Sequence, residues 1–346
     1  MRKFNSSGIG ERGSHTRGVM KRLAWPVAAA TYLMLAAPAI AGNVSTGTWL
    51  SSTTTPPQLA APPQGIEGYC LGISGDRIYM THGDRRGIGD SSDVSIYDIS
   101  SNTWSAGTSS PNIRAEGAGT SFGGLVYCMG GRVNGVTSSL VEVYSPTSDS
   151  WTTLAPMEVA RAGFQVAPMG GKLYAVGGRP VADGPCSGPP ITPGQAEVYD
   201  IPSNTWSFIA DPPVPVTDAA LVSKGGLLYL IGGCTSPGTV TNALQIYDPQ
   251  TNTWSAGPNM PTPRASLAAA ALGDTIYAIA GIDFTFGNLS VVEGFDVAHA
   301  SWVSPLTPKP TPSSEIEAAA RGISIYIPGS GSFGVSEDIF EAFKRH

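Results

Sequence analysis

Charged residues are scarce in this chain: they make up 13% of its 346 residues, whereas it contains 43 glycines and 29 prolines. Glycine and proline disfavour helix interiors and favour turns. The composition therefore argues against a helical bundle and indicates a turn-rich globular chain that is long enough to bury a sizeable core.

Potential metal ligands and catalytic bases are also few. Beyond residue 41 the only histidines are His82, His299 and His346, and no two of the four cysteines have metal-site spacing. The sequence has no Gly-x-Ser-x-Gly nucleophile elbow, and its glycine runs lack the strand-to-helix context of a phosphate loop. We therefore expect no metal, no cofactor and no nucleophilic triad.

The N-terminus resembles an export signal. Lys21 and Arg22 precede an apolar stretch from Leu23 to Ala37, and small residues up to Ala41 follow it. A membrane anchor is the alternative, but the stretch is shorter than the ~20 apolar residues that a span needs, and it contains Pro26. The sequence predicts a signal peptide over residues 1–41 and a single domain over residues 42–346, secreted or periplasmic.

The charge of the expected mature chain excludes several partners. Residues 42–346 carry 14 basic and 25 acidic side chains, a net charge of −11. Nucleic acid is disfavoured by this negative charge. Because no basic amphipathic segment remains, we also expect no membrane attachment after cleavage. We further expect the mature chain to be a monomer.

A repeat of 47 to 55 residues runs through the chain and is marked by tryptophan, at positions 49, 104, 151, 206, 254 and 302. An aromatic residue lies seven positions before each of the last five: Tyr97, Tyr144, Tyr199, Tyr247 and Phe295. Each unit reads as four short strands, the second of which ends in a glycine pair, as in LVYCMGG, KLYAVGG and LLYLIGG. We interpret the repeat tryptophans and tyrosines as core residues.

This combination of glycine pair, Tyr-Asp and tryptophan resembles the kelch repeat family, whose members form β-propellers. The resemblance covers residues 43–346, with departures at His82-Gly83, Ala280-Gly281 and Gly329-Ser330. The tryptophan that should follow Phe340 would fall beyond His346, and Trp49 can take its place. We therefore predict an all-β, six-bladed kelch-type propeller, closed by an N-terminal strand near Thr48 to Ser52 that joins the C-terminal blade.

The positions of the cysteines in the repeat favour one pairing. Cys186 and Cys234 fall in equivalent loops, between the second and third strands of adjacent blades, so we predict a disulfide between them. Cys70 and Cys128 lie in apolar strands, where two buried thiols and a bridge are equally consistent with the sequence. Some kelch-type propellers are copper oxidases, but the histidines and tyrosines of that site are not found in this chain.

The strongest candidate site is the start of each innermost strand, eleven residues before the second-strand tyrosine. The six positions are Gly68, Glu116, Gly163, Asp218, Ser266 and Glu315. In a propeller they would form a ring, in which Glu116, Asp218 and Glu315 face one another and raise at least one carboxyl pKa. Arg132 and Arg179 follow glycine pairs and could face a ligand, whereas Arg114, Arg161 and Arg264 are expected to be structural. The alternative is a solvated channel mouth with no ligand.

Two functions are consistent with this pattern. The first is a noncatalytic module that binds a protein or carbohydrate ligand through Glu116, Asp218, Glu315, Ser266, Arg132 and Arg179. The second follows from the family resemblance, because exported kelch propellers include sialic acid mutarotases. In that case the channel-mouth carboxylates would supply acid-base catalysis.

Overall fold

The computed structural model describes residues 47–346 except residues 56, 64, 86–87, 135, 182–183 and 333–334, and for residues 330–338 only the backbone. The predicted signal peptide lies outside the described residues. None of the described residues is helical, so this part of the chain offers no helical segment that could span a bilayer.

The described residues form six four-stranded antiparallel sheets, named here sheets 1 to 6. Their strands are, in sheet 1, Cys70–Ser74, Arg77–Thr81, Val94–Asp98 and Thr103–Gly107; in sheet 2, Ala118–Phe122, Leu125–Met129, Val141–Ser145 and Ser150–Leu154; in sheet 3, Ala162–Met169, Lys172–Arg179, Ala196–Asp200 and Thr205–Phe208; in sheet 4, Ala220–Lys224, Leu227–Ile231, Leu244–Asp248 and Thr253–Ala256; in sheet 5, Ala268–Leu272, Thr275–Asp283, Gly287–Asp296 and Ser301–Val303; in sheet 6, Ala319–Arg321, Ser324–Ser332, Val335–Arg345 and Gly47–Ser51.

Short strands extend the loops between the second and third strands of three sheets. Asp84–Arg85 pairs with Gly89–Asp90 beyond sheet 1, and Cys234–Ser236 pairs with Thr239–Val240 beyond sheet 4. Beyond sheet 2 a three-stranded sheet contains Arg114–Ala115, Arg132–Val133 and Val136–Thr137.

The six sheets are arranged about a central channel. The first strand of each sheet contacts the first strand of the next, and that of sheet 6 contacts that of sheet 1. The channel interior is a cavity of about 360 Å³ lined by these strands, largely by small residues such as Gly72, Gly119 and Ala270.

The chain closes this circle with its N-terminal strand. Gly47–Ser51 runs antiparallel to Val335–Arg345, with Trp49 opposite Phe343. The Trp49 indole N–H donates to the carbonyl oxygen of Thr307 at 3.1 Å. Trp49 therefore belongs structurally to sheet 6, as the register of the repeat predicts.

Each repeat tryptophan forms a hydrogen bond between its own sheet and the segment that follows the last strand of the preceding sheet. Trp254, for example, donates its indole N–H to the carbonyl oxygen of Ala210 at 2.7 Å, and Asn252 accepts hydrogen bonds from the Ala210 amide and the Tyr247 hydroxyl. The repeat tyrosines are buried as predicted. The tryptophans are less buried than a core position implies: Trp206 is buried, and the others are half-buried.

Three arginines are buried inside the sheets with a glutamate from the third strand. The pairs are Arg114 with Glu142, Arg161 with Glu197, and Arg264 with Glu293. All six side chains are fully buried. They link the loop before the first strand to the interior of the sheet, which is the structural role that the sequence predicts.

The glycine pairs allow a close backbone approach. At Gly131, where φ is 76°, an added Cβ would lie 2.3 Å from the carbonyl oxygen of Ala115. The residues that replace the first glycine keep a similar conformation, with φ of 62° at His82 and 55° at Ala280. The departures from the family pattern therefore leave the backbone path at these two positions unchanged.

Candidate functional site at the channel mouth

The six residues at the starts of the innermost strands all have a left-handed backbone, with φ between 50° and 59°. This group is called the channel mouth: Gly68, Glu116, Gly163, Asp218, Ser266 and Glu315. Backbone hydrogen bonds connect neighbouring members. The Asp218 amide donates to the Gly163 carbonyl at 2.7 Å, and the Ser266 amide donates to the Asp218 carbonyl at 2.7 Å. Positive φ is uncommon for residues other than glycine, so four such residues at equivalent positions mark a specialised region.

Arg179 joins two of the three acidic members of the mouth. Its Nη1 donates to both Asp218 carboxylate oxygens at 2.7 Å, and its Nη2 donates to Glu116 Oε2. The arginine side chain is 1% exposed. Glu116 and Asp218 therefore share one buried cation, which compensates one of their two negative charges.

The loop that follows Arg179 is attached to the same carboxylates. The Gly184 amide donates to Glu116 Oε1 at 3.2 Å, and the Cys186 amide donates to Asp218 Oδ2 at 2.9 Å. A disulfide joins Cys186 to Cys234, as the sequence predicts. This loop of sheet 3 is therefore held against the mouth by polar contacts and by a covalent bond.

Arg132 lies on the other side of Glu116. It donates two hydrogen bonds to Asp90, at 2.6 and 3.0 Å, and it also contacts Glu116 at 3.2 Å and Asp84 at 3.3 Å. Neither Arg132 nor Arg179 is thus available as an unengaged cation, although both lie at the mouth as the sequence indicates.

Glu315 differs from the other two acids. Among the described residues, none donates a hydrogen bond to its carboxyl group or forms an ion pair with it. Burial is the main reason that the pKa of Glu315 is raised to about 8. The neighbouring carboxylates Glu67, Glu116 and Asp218 raise this pKa as well, and Arg179 opposes them. The predicted ring of three facing acids is therefore asymmetric.

Ser266 contributes a second unsatisfied group. Ser266 is 9% exposed, and its hydroxyl group has no hydrogen-bond partner. Ser266 and Glu315 both line a cavity of about 60 Å³ at the mouth, together with Glu116, Arg179 and Asp218. A buried hydroxyl without a partner is costly, which indicates a place where a ligand group or water would bind.

A wider cavity of about 240 Å³ adjoins the first one. Glu116, Glu315 and Gly68 line both cavities. The remaining residues of the wider cavity are Glu67, Asp84, Arg132, Gly184 and Pro185. A ligand could thus place a small polar head beside Ser266 and the rest of its structure beneath the sheet 3 loop.

Glu317 is a further acidic residue of the channel, outside the positions that the repeat pattern indicates. It lies deeper in the channel, where the Leu71 amide donates to its Oε2 at 3.0 Å. Burial raises the pKa of Glu317 to about 8, although hydrogen bonds from Leu71, Gly119 and Gln165 lower it in part. The positions equivalent to Glu317 in the other five repeats, such as Cys70 and Ala118, carry no charge, so the comparison of repeats gave no signal for it.

The titration of Glu317 predicts a pH-dependent stability. Between pH ~4.5 and 8 the folded protein retains this proton and the unfolded chain releases it, so the free energy of unfolding should fall as the pH rises. Glu317→Gln removes this titration. Because one pKa unit corresponds to about 1.4 kcal/mol and channel water reduces the effect, we expect the variant to be more stable than the parent by roughly 2 kcal/mol at pH 8.

Urea unfolding of both proteins at pH 4.5, 6 and 8 measures this difference. Near pH 4.5 the two proteins should be equally stable, because a protonated glutamate resembles glutamine. The exposed Glu158→Gln serves as the control. A stability difference that stays constant across this pH range would contradict the assignment.

A second cluster lies between sheets 1 and 2. Cys70 and Cys128 form a disulfide, which settles the alternative that the sequence left open. Ligand atoms of Cys70, His82 and Cys128 lie within 4.8 Å of one another, the only such group found among the described residues. Burial, together with Arg114, lowers the pKa of His82, so the imidazole is neutral. Two disulfides are compatible with an exported protein.

The kelch motif model matches residues 113–158 and 215–261, which contain all four strands of sheet 2 and all four strands of sheet 4. The chain thus contains kelch motifs and has the fold of a β-propeller. The predicted family resemblance and all-β propeller fold are therefore confirmed.

A comparison of the kelch propeller with curated proteins finds no match. Among solved structures, "Structure of YjhT" is similar, with a TM-score of 0.67 and 18% sequence identity. The match covers 83% of this chain and 95% of that chain. At this level of identity the likeness shows a shared fold, and a fold alone does not define a function.

Proposed function

We propose that this kelch propeller is an exported recognition module that binds its ligand at the channel mouth. The observation that carries the proposal is the buried Ser266 hydroxyl without a partner, which lines one cavity together with Glu315, whose carboxyl group accepts no hydrogen bond from the described residues. In a structural network these groups would have partners, as Glu116 and Asp218 do. Binding would supply the missing hydrogen bonds.

The charge of the mouth selects the class of ligand. Two arginines, Arg132 and Arg179, lie among seven acidic side chains: Glu67, Asp84, Asp90, Glu116, Asp218, Glu315 and Glu317. Both arginines are already paired with these acids. An anionic ligand would meet repulsion, so a neutral or cationic group is favoured.

The size of the mouth limits how much of the ligand enters it. The wider cavity, at about 240 Å³, is smaller than the roughly 300 to 1,000 Å³ of most pockets for whole small molecules. We propose that one sugar ring or one amino acid side chain enters, while the loops contact the rest of a protein or glycan.

A mutarotase function is the second candidate, and the raised pKa of Glu315 favours it. A carboxyl group with a pKa of about 8 can donate a proton near neutral pH and take it back, as the opening and closing of a pyranose ring requires. The excess of carboxylates disfavours sialic acid, which is an anion. A neutral or amino sugar fits the charge of this site better.

A glycan and peptide array probed with the mature chain tests the binding function. We expect specific hits that Glu315→Gln and Ser266→Ala weaken at least tenfold. Asp274→Asn is the matched control, because Asp274 is 85% exposed in the turn at the opposite end of sheet 5. An array without specific hits, or hits that neither mouth variant weakens, would refute binding at the mouth.

NMR measurement of anomeric equilibration separates the two functions. Catalysis by the parent that Glu315→Gln abolishes would support the mutarotase. Equilibration at the uncatalysed rate for neutral, amino and acidic sugars would leave binding as the function.

A further inference from the structure

We infer that the group bound at the channel mouth is the ammonium of a lysine side chain on a protein partner, held by the Glu315 carboxylate and the Ser266 hydroxyl. The inference rests on the proposed function, because it specifies the ligand of the same site. Three features of the structure support it: the acceptors in the small cavity, its size, and the surface around it.

The small cavity presents oxygen acceptors that lack donors. Ser266 Oγ is buried without a partner, and Glu315 has no donor among the described residues. Glu317 lines the same cavity below them. An ammonium carries three N–H donors and no acceptor, so it matches this set of oxygens.

The dimensions of the cavity favour a compact cation. A volume of about 60 Å³ accommodates a small head group, and lysine ends in a point charge, whereas the guanidinium of arginine is a larger planar fork. A divalent metal is disfavoured, because among the described residues no three carboxylates bring their oxygens together at metal-ligand distances.

The surface around the mouth favours a protein as the source of the ammonium. Antiparallel topology puts the loops between second and third strands at the same end of the sheets as the mouth. Five large apolar side chains are exposed in these loops: Ile88 at 78%, Val136 at 68%, Val181 at 43%, Phe284 at 41% and Phe286 at 74%. Exposed apolar groups around a charged centre are typical of a protein-binding surface.

The protonation of Glu315 provides an independent signature. Glu67 and Glu116 approach it from sheets 1 and 2, and Asp218 and Arg179 approach it from sheets 4 and 3. With a pKa of about 8 the group is largely protonated at pH 6, and an entering ammonium would displace its proton. Binding should therefore strengthen about tenfold or more from pH 6 to 8, with proton release on binding.

The test uses Nα-acetyl-lysine N-methylamide as the probe and NMR titration of the mature chain as the measurement. We expect a dissociation constant on the order of millimolar, since the probe is small. A probe acetylated on its ε-amine and the corresponding arginine probe should each bind the parent protein at least tenfold more weakly. The Glu315→Gln variant should bind the original lysine probe at least tenfold more weakly than the parent does. Asp274→Asn should bind like the parent.

Several outcomes distinguish this inference from the function on which it rests. Specific array hits that lack lysine, or glucosamine binding where the lysine probe does not bind, would overturn the lysine assignment and leave recognition at the mouth intact. An array without specific hits would remove both. Should Glu315→Gln fail to fold, unchanged binding of the lysine probe to Ser266→Ala would overturn the inference, and a loss of threefold or more would support it.

Discussion

Replacing Arg161 with methionine should lower the free energy of unfolding by about 4 kcal/mol, because it leaves the buried Glu197 carboxylate without its cation. Arg161 also donates to four carbonyl oxygens, those of Gly177, Gly194 and Gln195 at 2.7 to 2.8 Å and that of Val159 at 3.4 Å. Methionine fills similar space but makes none of these bonds, so the four carbonyl groups and Glu197 each lose a donor.

Urea unfolding at neutral pH measures this loss. Lys172→Met, in the same sheet, removes an ion pair with Asp200 in which both side chains are more than a third exposed, and its expected effect is within about 1 kcal/mol. Equal losses for the two variants would show that the Arg161 pair is not the internal support that the structure indicates.

Removing the disulfide of the sheet 3 loop should have an effect of similar size. The bond joins cysteines 48 residues apart, and for a loop of this length the chain-entropy model gives about 4 kcal/mol. The double variant Cys186→Ala, Cys234→Ala should therefore unfold at a markedly lower urea concentration. Ser187→Ala, an exposed neighbour, should change stability by less than about 0.5 kcal/mol.

The same disulfide variant tests whether the loop is held against the mouth. The Gly184 and Cys186 amides donate to Glu116 and Asp218, so their hydrogen exchange is slow while the loop stays in place. In the variant we expect faster exchange at these amides and weaker ligand binding. A loss of stability with unchanged exchange at Gly184 would mean that the polar contacts alone position the loop.

The sequence contains most of the information about the fold. A fixed distance of seven residues from each tyrosine to each tryptophan corresponds to the third and fourth strands, as Tyr247 opposite Trp254 shows. The pairing of Trp49 with the C-terminal strand followed from the one missing tryptophan. Periodic spacing predicts strands well because it reflects the backbone pairing that every unit repeats.

The chemistry of the mouth was less predictable. Equivalent positions identified Glu116, Asp218 and Glu315, but the sequence could not show that Arg179 would form ion pairs with the first two and not with the third. That difference depends on a side chain that crosses from a neighbouring sheet. The sequence also could not decide whether Cys70 and Cys128 form a disulfide or remain as thiols. That outcome depends on how two sheets pack together, and not on residue spacing within either sheet.

The closing strand also has a consequence for how the protein matures. The Phe340 amide donates to the Ser52 hydroxyl, 288 positions away in the chain. Such distant pairing is entropically expensive and slow, so the first segment must wait, unpaired, until the last has been synthesised. Until then the edge strands of sheet 6 have unpaired backbone groups that can pair with another chain. A newly synthesised molecule would therefore depend on chaperones to avoid aggregation.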